Sequence, residues 1–397
     1  MEIQRREQRD VMSLRDWTLI FGRRKVGKSF LIRKYLKHDL YFTVTRNLQA
    51  FYLDGGIRPL RDALKELSET LRRDGTVVVD EFQRMPERYW EMFGPLSQNG
   101  KLVLVGSSFR ISRRVFDSKS PLLGLVIPYR MGLIHYAETL HAVRDPLLAV
   151  LYKDPWVISF LRDVKDLQER GYQLYMVTKG LVGEVFEEEE RQLTTLYEAI
   201  LMSLAEGEWN TSIIAGSLAG KGIDITASSV SGYLDVLTGL GLVDKVEIFG
   251  ARRRARWYYR LSSPVLSLMF YAEAKYNVSV TERVGELPLG REVQFAVGEL
   301  LAERYDGVMA YSPYEDIDVV ILKDGKPVIG YEVKVGEIDR REAERAISRI
   351  RSSGIPRVGL VSLRDKPKFE VEESLGPEEL MEVADEIYGR VLSQQGP

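Results

Sequence analysis

Along the first hundred residues, short apolar runs alternate with stretches whose apolar residues recur every three or four positions. Residues 17–22 (Trp17 to Gly22), 40–44 (LYFTV), 76–82 (TVVVDEF) and 101–108 (KLVLVGSS) are the apolar runs. Runs of this length, apolar on successive residues, predict strands buried on both faces, as in a parallel sheet. Between them Leu31, Ile32 and Leu36 follow helical spacing. Within 57–73 so do Leu60, Ala63, Leu64, Leu67 and Leu71, which predicts an amphipathic helix. PERYWEMFGPL predicts a short helix. Strands alternating with helices imply an α/β parallel sheet.

Residues 137–190 lose the strand pattern and predict helices, ending in the acidic run Glu187–Glu190. From 191 to 263 the predicted order is helix, helix, helix, hairpin. The third helix, about Ala227–Leu240, has Thr226 as its N-cap candidate. It is predicted to bury Val230, Leu234, Val236, Leu237 and Leu240 and to expose Ser228, Ser229, Ser231 and Asp235. From about 285 a helix leads into DIDVVILKDGKPVIGYEVKV, a hairpin turning at Asp324-Gly325. RREAERAISRIRSSG predicts a helix and RVGLVSL a late strand.

At 397 residues the chain exceeds one ordinary core, and two to three domains are expected. The pattern divides the chain into 1–189, where strands alternate with helices and then give way to helices alone, 190–275, with three helices and a hairpin, and 285–397, a further α/β part. Lys and Arg number 56 against 58 Asp and Glu, so any nucleic-acid surface must be local. The absence of cysteine excludes disulfides, thiol catalysis and cysteine-held zinc. His38, His135 and His141 are too few and scattered for a histidine metal cluster. No apolar run approaches the roughly 18 residues of a membrane span. The first residues, MEIQRREQRD, are charged, unlike a secretory signal. No membrane partner and a cytoplasmic location are expected.

The first chemical signal follows the first apolar run. Gly22-Arg23-Arg24-Lys25-Val26-Gly27-Lys28-Ser29 spells a phosphate-binding loop between strand and helix. Small residues let backbone N–H groups approach phosphate oxygens, and the helix N-terminus adds positive potential. Lys28 would reach the β- and γ-phosphates of ATP, and the Ser29 hydroxyl would ligate magnesium. The strand TVVVDEF delivers Asp80, suited to the magnesium shell, and Glu81, suited to polarising the attacking water. Ser107 or Ser108, ending another strand, fits a γ-phosphate sensor.

These motifs, GRRKVGKS, VVVDEFQRMP and LVGSSFRIS followed by SPLLG, resemble an archaeal ATPase of the AAA+/STAND type over about residues 1–185. The resemblance implies a lid over about 140–185. Members commonly follow SPLLG with an arginine, where this chain has Leu125; Arg110, Arg113, Arg114 and Arg130 are substitutes.

Two downstream groups bear on what ATP is for. Helix, helix, helix, hairpin is the winged-helix order. Ser228 and Ser229 on the third helix, with Arg252, Arg253, Arg254 and Arg256 at the hairpin, fit contacts to double-stranded DNA. Asp318, Glu332 and Lys334 lie on adjacent predicted strands, where two carboxylates and a lysine suit magnesium-assisted phosphodiester attack. Their spacing resembles the PD-(D/E)XK nuclease superfamily. That family usually places a glutamate on the preceding helix, where this chain has Gln294, with Glu292 and Glu299 nearby. The order of the three parts also resembles the archaeal ATPase family. The expected function is ATP hydrolysis coupled to DNA binding or processing. The alternative is a STAND-like signalling or defence switch with an inactive nuclease-like domain. A homo-oligomer or a regulatory protein partner is compatible with either.

Overall fold

The computed structural model describes residues 1–97, 99–251 and 256–393. The chain divides into two compact units, one formed by 5–133 with 181–193, the other by 1–4, 134–180 and 194–397. The lid expected over 140–185 is thus divided: residues up to 180 cluster with the second unit and those from 181 with the first.

The first unit holds a seven-stranded sheet. Its strands are β1 (Thr18–Phe21), β2 (Leu40–Val44), β3 (Gln49–Tyr52), β4 (Ile57–Pro59), β5 (Thr76–Asp80), β6 (Lys101–Gly106) and β7 (Ile127–Arg130), in the order β4-β3-β2-β5-β6-β1-β7. From β2 to β7 all pairings are parallel. β3 and β4 extend the β2 edge in antiparallel fashion. Successive residues of the apolar runs serve opposite faces. Leu19, Val77, Val79, Leu102 and Leu104 enter one core, while Ile20, Val78, Val103 and Val105 enter the other. This is why those strands carry no polar alternation. The helix predicted from residue 57 begins at Leu60. Residues 57–59 are the edge strand β4, and Pro59 in extended conformation (φ −56°, ψ 138°) separates the two. Helix α1 (Lys28–Tyr35) follows the phosphate loop, and α2 (Leu60–Arg72) buries Leu60, Ala63, Leu64, Leu67 and Leu71 as the spacing required.

Helix α3 (Gly171–Glu188) runs to the acidic residues at the end of the lid segment. In the second unit α4 (Thr195–Glu206), α5 (Thr211–Gly220) and α6 (Ala227–Gly239) precede a hairpin of β8 (Val243–Ile248) and β9 (Trp257–Leu261). Thr226 caps α6 by accepting from Ser229 N. Val230, Leu234 and Leu237 of α6 and the following Leu240 are buried, whereas Val236, expected in the core, is only half-buried.

The hairpin does not stand apart. β10 (Val308–Ser312) pairs with β8 in parallel, through Ala310 with Glu247 and Tyr311 with Ile248. The sheet continues through β11 (Ile317–Lys323), β12 (Lys326–Lys334), β13 (Val358–Ser362) and β14 (Glu373–Leu375). Trp209, Tyr258, Phe295 and Tyr311 pack ring on ring across that junction, with centroids 4.8–5.9 Å apart. Aromatic burial of this kind fixes hairpin and sheet as one body. The β11–β12 hairpin turns where the spacing placed it: Asp324 and Gly325 both have positive φ (51° and 74°), as a two-residue turn between twisted strands requires. Helix α7 (Leu289–Tyr305) covers one sheet face with Val293, Ala296, Val297, Leu300 and Leu301. Helix α8 (Arg340–Ser352) covers the other through Ile350 and Ala346. Among the described residues no helix is long and apolar enough to cross a membrane.

Candidate functional site

The phosphate-loop motif, Asp80, Glu81 and Ser107 are far apart in sequence and close in the fold. β6 lies between β5 and β1, so the ends of three parallel strands deliver the loop, the acidic pair and the serine to one edge. Open α/β sheets bind ligands at this carboxyl edge. The loop's glycines are required by geometry. A Cβ on Gly22 would stand 2.0 Å from Met131 O, and Gly27 opens α1 from a left-handed conformation (φ 94°). Val26 is buried, and its carbonyl accepts from Arg5 Nη1 at 2.7 Å.

Lys28 is buried, with Nζ donating to Gly22 O and Arg23 O at 2.8 Å each. Burial, only partly opposed by Glu81, Glu188 and Asp80, lowers its pKa to about 8. Asp80 is buried, and its oxygens accept from Tyr41 OH at 2.6 Å and Glu81 N at 2.9 Å. Among the described residues no cation pairs directly with it. A buried carboxylate without a direct cation partner, at the same sheet edge as the loop that carries Ser29, offers hard oxygen donors of the kind that fit magnesium.

Glu81 sits in a left-handed backbone conformation (φ 54°), and burial pushes its carboxyl above the usual range. Arg84 pairs with it at 3.1 Å, and Gln83 Nε2 donates at 2.8 Å both to Glu81 and to Ser107 Oγ. Gln83 thus ties the candidate water-orienting residue to the candidate sensor. Sequence reading missed this role, although Gln83 stands two residues after Glu81.

The acidic run, read from sequence only as the end of a helical stretch, enters the same place. Glu188 bonds to Arg24 and to Ser107 Oγ. Glu184 pairs with Arg24 Nε at 2.9 Å. Glu189 accepts from Ser108 Oγ at 2.8 Å and from Arg110 N, and Glu190 pairs with the Arg110 guanidinium. The other candidate arginines differ. Arg114 pairs with Glu87, and Arg130 lies over the Phe109 ring at 5.2 Å. Leu125, where an arginine was expected, packs against the core.

At the second candidate site, Val319 of β11 pairs with Tyr331 of β12, and Asp318 Oδ2 accepts from Val333 N at 2.8 Å. Asp318, Gln294 and Lys334 line one cavity of about 660 Å³, together with Lys165 and Gln168. Glu332 is buried, with one oxygen 2.7 Å from Arg349 and the other 2.9 Å from Lys334. Burial and then Glu332 push Asp318 up to about 7. Both Glu332 oxygens already face cations, so magnesium would have to displace Arg349 or Lys334, and the pair as it stands does not fit the ion. Arg349 comes from α8, and the sequence reading did not include it. Gln294 stands where a glutamate was expected and donates to Asp318 O at 2.8 Å. Neither nearby acid replaces it: Glu292 is paired with Arg260, and Glu299 with Lys153 and His135. His135, Glu299 and Glu303 do come within 4.8 Å of one another, a grouping their separation in sequence concealed.

On α6, Ser228 and Ser229 are exposed. Arg256 pairs with Glu247 at 3.2 Å and lies over Trp257. Arg252, Arg253 and Arg254 lie outside the described residues.

Residues 15–140 match the family described as AAA domain. No curated protein matches the chain. Among solved structures, the chain is similar to a Walker-type ATPase of Pyrococcus abyssi (18% identity, 67% of this chain and 94% of that one, TM-score 0.46). It is also similar to the ORC2 protein of Aeropyrum pernix in ADPNP–ADP complexes (14% identity, 69% and 94%, TM-score 0.40). A third is a STAND protein with a tetratricopeptide repeat sensor from Pyrococcus horikoshii (15% identity, 77% and 46%, TM-score 0.26).

Proposed function

We propose that this chain binds and hydrolyses ATP at the edge formed by β1, β5 and β6, and that nucleotide state governs what its second unit does with DNA. The observation that carries the reading is the convergence of Lys28, Asp80, Glu81 and Ser107 at that edge. Bound magnesium would neutralise charge between the β- and γ-phosphates, held by Ser29 and, through its shell, by Asp80. Lys28 donates to the terminal phosphates. Glu81 orients a water and takes its proton as that oxygen bonds to phosphorus and the bond to the leaving ADP oxygen breaks. Ser107 donates to an equatorial oxygen. Glu81→Gln is expected to lower ATP turnover about a hundredfold or more while leaving ATP binding intact, because only the proton acceptor is lost. Phosphate release and a fluorescent-ATP titration check this, and undiminished turnover would remove Glu81 from the role.

The DNA part of the proposal rests on the three-helix-and-hairpin order and on exposed Ser228 and Ser229, with Arg252, Arg253, Arg254 and Arg256 as phosphate contacts. Its test is whether double-stranded DNA changes ATP turnover and whether binding weakens steeply with salt. A second reading is favoured by the Arg349–Glu332 pair and by Gln294. In that reading the Asp318–Glu332–Lys334 group is a retired nuclease site, and the protein is a nucleotide switch that answers to a partner.

A further inference from the structure

Five carboxylates, Glu184 and Glu187 to Glu190, converge on groups that bind anions. Arg24 belongs to the phosphate loop itself, and Glu184 and Glu188 both engage it. Ser107 is the sensor candidate and donates to Glu188; Ser108 and Arg110 N, at the start of the following helix, hold Glu189. Glu187 adds an outer pair with Arg46 at 3.1 Å. A carboxylate offers these donors what a phosphate oxygen offers, namely a negative, acceptor-only partner. All of these contacts lie within the first unit.

We infer that the acidic segment Glu184–Glu190 is a built-in competitor of the γ-phosphate, and that ATP must displace it to bind productively. The inference rests on the nucleotide reading above. Glu188 is its centre, since it spans Arg24 and Ser107, the loop and sensor sides of the site. ADP lacks the γ-phosphate and has less to displace, so the segment sets a preference as well as an affinity. Because the segment closes helix α3, whose earlier residues belong to the second unit, its release changes the end of a continuous helix rather than a free loop. Competition of this kind reduces apparent affinity by the fraction of molecules in the open state.

The test is ATP and ADP affinity of the full chain, by titration with fluorescent nucleotide analogues, for wild type and the double variant Glu188→Gln/Glu189→Gln. The expected result is ATP affinity at least about tenfold tighter in the double variant, with ADP affinity changed by less than about threefold. Asp62→Asn/Glu69→Gln, two acids on α2, removes the same charge elsewhere and is expected to leave both affinities unchanged. The inference is overturned by equal ATP affinity in wild type and double variant, by equal tightening toward ATP and ADP, or by tightening in the α2 control. ATP binding by neither wild type nor double variant would instead remove the nucleotide reading itself, and the competitor with it. A second readout leaves the acids in place. The chain has no cysteine, so Gln192→Cys carries a single environment-sensitive dye beside the segment. ATP is expected to shift its emission and ADP to shift it much less; no ATP-induced shift at saturating ATP would overturn displacement.

Discussion

Replacing Lys28 with alanine is expected to weaken ATP binding about a hundredfold or more and to abolish turnover. The ammonium is the only side-chain cation that the loop holds deep against the strand ends, and it already faces two carbonyl oxygens at 2.8 Å. In the bound state those bonds exchange for charge-assisted bonds to phosphate, worth about 1.5–3 kcal/mol each. Two of them account for roughly a hundredfold or more in affinity. The pH profile makes the prediction specific. Burial lowers Lys28 to about 8, so in the free protein it loses its proton as pH rises through that value. Phosphate binding restores the charge, so wild-type affinity is expected to fall by up to about tenfold per pH unit above 8. The alanine variant should lack this fall. The same depression has a sign for folding. The unfolded lysine holds its proton up to about 10.4. The folded state is therefore penalised below pH 8, and the penalty lifts between about 8 and 10.4. Fluorescent-ATP titrations at several pH values, with unfolding midpoints as a check on integrity, decide the matter. A flat wild-type profile would mean that Lys28 does not meet the phosphates.

The nucleotide edge was legible in sequence because each part of it is local. A glycine-lysine-serine after an apolar run and an acidic pair closing another need no knowledge of distant segments. β6 coming between β5 and β1 is a tertiary fact, but any parallel order with those strands adjacent would have assembled the same groups. Edge strands were less legible. β4 is exposed at all three residues and β7 at three of four, so neither carries the apolar run by which a buried strand is recognised. The pairing of β8 with β10 was invisible, because it joins segments about 60 residues apart through backbone groups any sequence could supply. The acidic run was seen only as the end of a helical stretch. Four consecutive glutamates usually form a solvated surface, and only the position of Arg24, Ser107 and Arg110 gives them another meaning. At the second site Gln294 was identifiable by spacing, whereas Arg349, which takes up one oxygen of Glu332, lies on a later helix with no motif to mark it.

Asp318→Asn is expected to stabilise the second unit at pH 8 and to change little at pH 4. Burial and the neighbouring Glu332 raise Asp318 from 3.8 to about 7 against the opposing pull of Val333 N and Lys334. An acid with a raised folded pKa holds more protons folded than unfolded between the two values. Stability therefore falls as pH climbs from about 4 to 7 and stays reduced above that. Asparagine keeps an oxygen for Val333 N and removes the charge, so the gain at pH 8 is on the order of 2 kcal/mol. At pH 4 the wild-type group is protonated in the folded state and about half protonated in the unfolded one, so the two chains should unfold nearly alike. Urea unfolding followed by circular dichroism at both pH values measures this, and equal midpoints at pH 8 would mean that Asp318 carries its charge without strain. Magnesium turns the same experiment on the two functional readings. A site that binds the ion would recover at pH 8 the stability that repulsion removes, and wild type would respond where the asparagine variant would not. With both Glu332 oxygens held by Arg349 and Lys334, no such response is expected. Its absence, together with a missing nuclease activity that Arg349→Ala fails to restore, would remove the nuclease reading of the Asp318–Glu332–Lys334 group and favour the reading of it as a retired site.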